Sequence, residues 1–387
     1  GTIISEKTYA IHNYETGKVE INGGSVEGVT YGITNSGGNV TVSDGNVEGN
    51  TYGIVNNGNL TITGGSINGE YSINNQGSGS AKITGGELNS DKYIINIGKM
   101  EITGGNIYGK IYAIALNGSS VLTIGTNEEN PSVDITSPVL IGDTAGIYNQ
   151  DNAIFNFYDG IIMVLEGKSI WGTVTDTPTG YRVVNGTQTV DGVEYETAYL
   201  DNTYYITFDD NCTNGKTTTI DKKYNNKLQT LPTPTTQVTG YTFDGWYTDK
   251  TAGTKITVDT LVTADTTYYA HWTPNPDTAY TVYHYRENAN DGNYELVETE
   301  NLKGTTNSSL TLANLTKAGE GALANCSVLK TTLAENGASE LTTTIAPDGT
   351  TKVYIYYTRN TFALVVTPGK NVNTATGSGT YKWGQTV

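Results

Sequence analysis

The sequence predicts an all-β chain whose first half is a right-handed parallel β-helix, a solenoid of short stacked coils. Three observations carry that prediction. A segment of about twenty residues recurs through the first third of the chain. Apolar residues within each copy alternate with period two, the signature of extended strands. The composition is turn-rich and charge-poor, with 47 Gly and 28 Tyr against 16% charged residues.

The repeat is plainest at residues 51–69, TYGIVNNGNLTITGGSING. Related copies stand at 30–49 (TYGITNSGGNVTVSDGNVEG), 71–89 (YSINNQGSGSAKITGGELN) and 112–125 (YAIALNGSSVLTIG). The leading apolar residue of the TIT-like strand falls at Val19, Val40, Leu60, Ala81, Met100 and Leu122, in steps of 21, 20, 21, 19 and 22. The residue past the glycine turn falls at Val26, Val47, Ile67, Leu88 and Ile107, in steps of 21, 20, 21 and 19. Two independent markers drift together, so the period belongs to the backbone. Within a copy Tyr52 and Ile54, then Leu60 and Ile62, then Ile67 point one way, and Thr51, Thr61 and Thr63 the other. Three strands closing on themselves make one coil, and coils stack at about 4.8 Å. No coil buries its apolar face alone; the stack makes the core.

Two residues after the inward isoleucine stand Asn13, Asn35, Asn56, Asn75 and, further on, Asn149. These predict a hydrogen-bonded amide ladder like those of cross-β assemblies, interrupted at Ile97 and Leu116. Tyr9, Tyr31, Tyr52, Tyr71, Tyr93 and Tyr112 share the parity of the inward isoleucines. They read as a stack in the core or at its edge, with an exposed sugar-stacking stripe as the alternative.

From Thr123 the period loosens. Residues 131–140 hold two prolines, and 145–149 (AGIYN) resume the pattern 33 residues after residues 112–116. The extra length predicts a protruding loop or an elaborated coil. Residues 152–160 (NAIFNFYDG) and 161–165 read as the last coils, with aromatics filling a tapering end. A stack must be capped, because an open coil leaves strand edges unpaired. Residues 181–200, turning tightly at 190–193, are the candidate cap.

This first region, residues 1–200, resembles through its YGI-x-N and ITGG motifs the β-helical ectodomain repeats of Gram-positive surface proteins. More distantly it is similar to the pectate-lyase-like superfamily.

A second segment, residues 201–275, carries short aromatic-rich strands at 204–210, 222–228, 240–249, 254–258 and 267–272. Its GYTFDGWYTD (240–249), Gly253-Thr254-Lys255-Ile256 and TYYAHW (267–272) closely resemble the internalin B-repeat, or Listeria–Bacteroides repeat. The resemblance covers about residues 203–273 and implies a small β-grasp module of cell-surface proteins. Read from the residues alone, Tyr241, Phe243, Trp246 and Trp272 are core, because large aromatics let a short chain bury enough area.

A third segment, residues 276–359, opens with strands at 280–286 and 294–300 and closes at 342–357, where Pro347-Asp348-Gly349 predicts a hairpin turn. Val353, Ile355 and Tyr357 alternate with Tyr354 and Tyr356 as a half-buried strand would. Its frame YTVYHYREN, YELVETE and APDGTTKVYIYYTRNTF is similar to the mucin-binding-protein (MucBP-like) repeat. That likeness implies a second β-grasp-like module, serving as mucin binder or spacer; residues 318–338 carry no placeable motif. Residues 360–387 read as the start of a further repeat, expected to pack as an added strand or stay loose.

Composition excludes some functions. A net charge of −17, with arginine only at 182, 286 and 359, argues against nucleic acid. The longest apolar run, 161–165, is too short to span a membrane. Cys212 and Cys326 lie in different segments and read as unpaired. The chain opens inside a repeat, with neither signal peptide nor sorting signal. It therefore reads as part of a longer protein of a bacterial cell wall or surface, extracellular and monomeric.

No catalytic, cofactor or metal residues are expected. Enzymatic β-helices need clustered carboxylates and a basic group. Here Lys7, Lys18, Lys82, Lys92, Lys99, Lys110 and Lys168 are scattered. Glu27 and Glu48 stack one coil apart, but Asn68 and Asn89 follow, so a solvated face outweighs a calcium or catalytic pair. His12, His271 and His284 have no partner carboxylate in sequence. Thr61-x-Thr63 is similar to ice-binding threonine arrays, but Lys82 and Glu101 spoil the flat face. Three functions remain. The leading one is a non-enzymatic adhesin or stalk, engaging a host or environmental glycan or protein receptor. The second is a carbohydrate-binding surface protein, using loop 126–138 or a solenoid face. The third is a polysaccharide lyase.

Overall fold

The computed structural model describes residues 1–127, 135–150 and 153–387. They fall into two compact units, residues 1–204 with 222–226 and 261–264, and residues 205–221 and 227–260 with 265–387.

The first unit is a parallel β-solenoid. Its strands form one eight-stranded sheet, built from the Tyr-x-Ile segments, and one thirteen-stranded sheet that holds the other two faces of the coil. Both periodic markers stack as their spacing predicts. Val19 pairs with Val40, Val40 with Leu60, Leu60 with Ala81, Ala81 with Met100 and Met100 with Leu122. Val26, Val47, Ile67, Leu88 and Ile107 stack likewise. Across the longer step Tyr112 pairs with Ala145 and Ile114 with Ile147, so the extra residues leave the register of this face intact.

The interior is one continuous column of Ile, Val and Leu, sealed from solvent from Ile33 to Ile162. Each fully buried isoleucine stabilises the stack by about 2 kcal/mol. Phe155 and Phe157 fill the last coils, their rings 6.0 Å apart. The coil turns its corner at the Gly-Gly pair. Gly45 and Gly65 have φ of +91° and +79°, and a Cβ on either would sit 2.7 Å from the carbonyl oxygen of the glycine one coil below. No larger residue fits there.

Past the last coil, strands Arg182–Val190 and Val193–Asp201 form a hairpin whose second strand runs antiparallel along Ile161–Val164. Asp191 and Gly192 turn it with φ of 49° and 81°, the left-handed pair of a type I′ turn. The hairpin ends the parallel ladder by covering an edge that would otherwise stay unpaired.

In the second unit two four-stranded sheets share one order. The first reads Thr217–Lys223, Thr203–Asp209, Thr266–Pro274, Tyr241–Tyr247, and its two central strands are parallel. The second reads Tyr294–Gly304, Thr278–Glu287, Lys352–Arg359, Cys326–Thr332, again with a parallel central pair. First and last strands in the centre, with the second and third outside them, is the β-grasp order. The crossover that a parallel pair requires is irregular chain in the first module. In the second it contains two 3-10 turns, Leu312–Leu315 and Gly321–Leu323, the latter inside the stretch 318–338 where no motif could be placed.

The structure corrects several details. The second strand of the first module is Thr217–Lys223 rather than 222–228, and residues 254–258 make only an isolated bridge. Of its four expected core aromatics only Trp246 is buried; Tyr241, Phe243 and Trp272 are half-buried. The core proper adds Phe208 and Tyr268, with Phe208 edge-on to Trp246 at 5.0 Å. Pro347-Asp348-Gly349 turns the chain, but its flanking strands Thr342–Thr344 and Lys352–Arg359 belong to different sheets, so no hairpin forms. Strand Lys352–Arg359 is covered on both faces. Val353, Ile355 and Tyr357 enter the core, while Tyr354 and Tyr356 stack on Tyr283 and Tyr285 at 5.1 Å each. The tail pairs with itself, strand Thr361–Leu364 against Gly379–Lys382. Cys212 and Cys326 are free thiols.

Candidate functional site

Three repeated surfaces of the solenoid are candidates, and geometry separates them. The first is the asparagine ladder. Asn13, Asn35, Asn56 and Asn75 each donate from Nδ2 to the Oδ1 of the next rung, at 2.9, 2.8, 2.9 and 2.9 Å, and the last acceptor is Asn96. The break expected at Ile97 is therefore one residue out of register. Tyr93 precedes Ile94 directly, whereas Tyr71 stands two before Ile73, so the coil lost a residue and Asn96 moved into the column. Leu116 does end the run, and Asn149 bonds within its own coil to Ala153. The ladder is buried and structural.

The second surface is the tyrosine column, which stands half-exposed at a corner of the coil. Tyr31, Tyr52, Tyr71, Tyr93 and Tyr112 succeed one another with centroids 5.5, 5.3, 5.1 and 5.3 Å apart, and Tyr112 lies 4.5 Å from Tyr148. The column sits at the core edge. Most of its ring faces are taken by neighbouring rings, so they are not open to stack a sugar. Burial, then the neighbouring phenols, raises the pKa of Tyr52 and Tyr93.

The third surface is the outward face of the strand segments beyond the glycine corner, and it carries a cleft. One column there reads Glu27, Glu48, Asn68, Asn89, Tyr108, Ile141, Met163. Its neighbour reads Ser25, Asn46, Ser66, Glu87, Asn106, Val139, Ile161. The face is thus acidic and amide-rich in the early coils and apolar in the late ones. Where the two characters meet lies a cleft of about 520 Å³, walled on one side by Gln188 and Val190 of the capping hairpin. A shallower groove of about 470 Å³ adjoins it through Asn89 and Tyr108. The Tyr108 hydroxyl donates to Asp143 at 3.3 Å, and burial, with that carboxylate, raises its pKa.

The stacked Glu27 and Glu48 are register partners, as the spacing predicts, but each carboxylate turns to its own coil. Ser25 donates to Glu27 at 2.6 Å and Asn46 to Glu48 at 3.3 Å. On the threonine face, Lys82 and Glu101 pair at 2.8 Å one coil apart. Loop 126–138 lies partly outside the described residues, at 128–134, as does residue 152 of the expected last coils. Among the described residues no three His, Cys, Asp or Glu side chains converge as a metal site requires, and no helix is long and apolar enough to cross a membrane.

One expectation fails in the second unit: His284 does have a partner carboxylate. It is fully buried, with Nε2 3.0 Å from Glu300 Oε2 and Nδ1 3.0 Å from the Tyr357 hydroxyl. The backbone N–H of Lys317 donates to that hydroxyl at 2.8 Å. Lys317, foremost, holds Glu300 below the usual carboxylate range, and burial pushes Tyr357 up to about 12. Both ring nitrogens of His284 and the Tyr357 hydroxyl have partners, so the group reads as a core device. His271 stacks on Tyr247 at 3.9 Å, and His12 bonds Ser36 at 2.8 Å.

The first four-stranded module has a counterpart among known families. Residues 204–271 match the Listeria–Bacteroides repeat domain, a repeat typical of surface proteins, over the segment in which GYTFDGWYTD and TYYAHW carry the resemblance. The chain thus joins a β-solenoid to a module similar to that repeat.

Proposed function

We propose that this chain is part of a non-enzymatic adhesin or stalk of a Gram-positive cell surface, outside the cell. The β-solenoid is the presented element, and the modules, internalin B-repeat-like and MucBP-like, serve as spacers. One observation supports this reading above the others: a coil stack held in register from Val19 to Leu122 is followed by a module matching a surface-protein repeat. Such a stack is stiff because each coil is hydrogen-bonded to its neighbours throughout. A second reading, a carbohydrate-binding surface protein, is favoured by the cleft beside Tyr108. The lyase reading is weakest, since Glu87 is the cleft's one carboxylate and no cationic side chain lines it among the described residues.

The test couples the full chain to beads and measures their retention on epithelial and mucus layers under flow. In parallel, the chain is incubated with pectins and host glycans to look for reducing ends or unsaturated products. Retention without product is expected. Turnover of any of these polysaccharides would overturn the proposal.

A further inference from the structure

The cleft beside Tyr108 is chemically unlike the rest of the solenoid surface. Val139, Ile141, Ile161 and Met163 occupy positions that earlier coils give to Ser, Asn and Glu. Ile161 and Met163 are buried, so the floor open to the cleft is Val139, Ile141 and the Tyr108 ring; a concave apolar floor with a few polar groups at its rim is the usual form of a ligand site. Around it stand Glu87, Asn106 and Gln188, exposed side chains that make no hydrogen bond or ion pair among the described residues. The amide stack one coil earlier does bond internally, Asn89 donating to Asn68 and Asn68 to Asn46. At the cleft, solvent-facing amides thus stand beside an apolar floor.

From this juxtaposition we infer that the cleft binds a neutral oligosaccharide, an assignment that rests on the reading of the chain as a surface-binding protein. The apolar faces of the sugar rings lie on Val139, Ile141 and the Tyr108 ring, the half-buried members of the floor. Their hydroxyls, which both donate and accept, meet the amides of Asn106 and Gln188, which also do both. Glu87 accepts a further hydroxyl proton.

Two other ligand classes fit less well. An acidic glycan would face Glu87 with no cation in the lining, on a chain of net charge −17. An extended peptide gains most of its affinity by adding a strand to an open sheet edge. The strands under this cleft, Ser80–Ser90, Lys99–Gly109, Val139–Gly142 and Ile161–Val164, are each paired on both sides; the open edge is that of the wall strand Arg182–Val190, and the peptide contrast below tests it.

The experiment is calorimetric titration of the full chain with neutral hexasaccharides of glucose, mannose and N-acetylglucosamine. Hexagalacturonate, a heparin hexasaccharide and an extended hexapeptide serve as contrasts. At least one neutral probe is expected to bind. Asn106→Ala and Gln188→Ala should each weaken it about fivefold, and Tyr108→Ala about tenfold. Thr41→Ala, outward on another face, should leave it unchanged. All four sites are at least partly exposed, so an unchanged circular dichroism spectrum and melting temperature will show that the fold is kept. Binding confined to the anionic probes or the peptide, no binding at all, or neutral binding insensitive to the three cleft substitutions would overturn the assignment. Beads that still adhere when no oligosaccharide binds would remove this site and leave the adhesin reading standing.

Discussion

The two units bury polar groups of different kinds. In the coil stack the buried polar side chains are asparagines and serines, among them Asn35, Asn56, Asn75, Ser72 and Ser90. In the modules they include Asp210, His284 and Glu287. The reason is translation. A residue buried in one coil tends to meet its own kind one coil away, at about 4.8 Å. A carboxylate there would meet a carboxylate and repel it, whereas an amide donates on one side and accepts on the other. Asparagine complements itself under that repeat; aspartate does not. A module occurs singly, so it can set unlike charges against each other, as Glu300 does with Lys317 at 2.8 Å. On the solenoid surface, where water screens them, both arrangements occur: Lys92 pairs with Glu70 of the adjacent coil at 3.2 Å, while Glu27 and Glu48 stack like on like.

The sharpest way to break this comparison is to charge the ladder. Asn56→Asp lets Asn35 donate as before but puts a carboxylate against the Asn75 carbonyl oxygen, at a cost of about 3 kcal/mol or more at neutral pH. Burial raises the pKa of the new group, so its penalty is absent while it is protonated and grows as pH rises. Urea unfolding at about pH 4 and pH 7 should show the larger loss at pH 7. Next in size is Glu300→Ala, which strips a partner from buried His284 and from Lys317 and should cost about 2 kcal/mol. Differential scanning calorimetry should show one transition lowered and the solenoid transition unmoved.

At the alkaline end both units contribute. Tyr158 and Tyr357 are each pushed up to about 12, chiefly by burial. Their stabilisation is complete below the unfolded phenol value of about 10 and is lost as pH rises from there toward 12. Denaturation midpoints should fall over that window, read alongside phenolate absorbance. The smallest effect is a gain. Glu48→Lys replaces a like-charge neighbour of Glu27 with an opposite one and should stabilise the chain by a few tenths of a kcal/mol at low salt, by thermal melting.

Sequence legibility followed the same division. Val40, Leu60 and Ala81 were readable because a local spacing repeats, and each copy checks the others. Asn96 escaped because a one-residue deletion between Tyr93 and Ile94 changed the count without changing the column. Of the column that leads into the cleft, Glu27, Glu48, Asn68 and Asn89 were visible, and one further step of the period reaches Tyr108. Ile141 and Met163 lay beyond the 33-residue step from Tyr108, where counting fails. The His284 pairing was hidden for another reason. Glu300 meets it across an antiparallel strand pair with a bulge, a register no local spacing encodes. The module core was likewise under-read, since tryptophans draw attention that Phe208 and Tyr268 share in fact.

The direct test of the central claim, that an uncharged ladder holds the coils while buried charged groups with dedicated partners hold the modules, is an acid titration followed by two probes. Far-UV circular dichroism reports on all the strands. Tryptophan emission reports mainly on the modules, because Trp246 is buried in one of them while Trp171 of the solenoid is exposed. Burial alone would raise the pKa of Asp210, but hydrogen bonds from Thr235 and Thr236 hold it below the usual range, and Glu300 is held low by Lys317 and His284. Both contribute fully above the unfolded carboxylate value of about 4 and lose their contribution below it. At about pH 3 the emission of Trp246 should shift to the red while most of the β-signal persists; loss of the β-signal before or together with that shift would contradict the account.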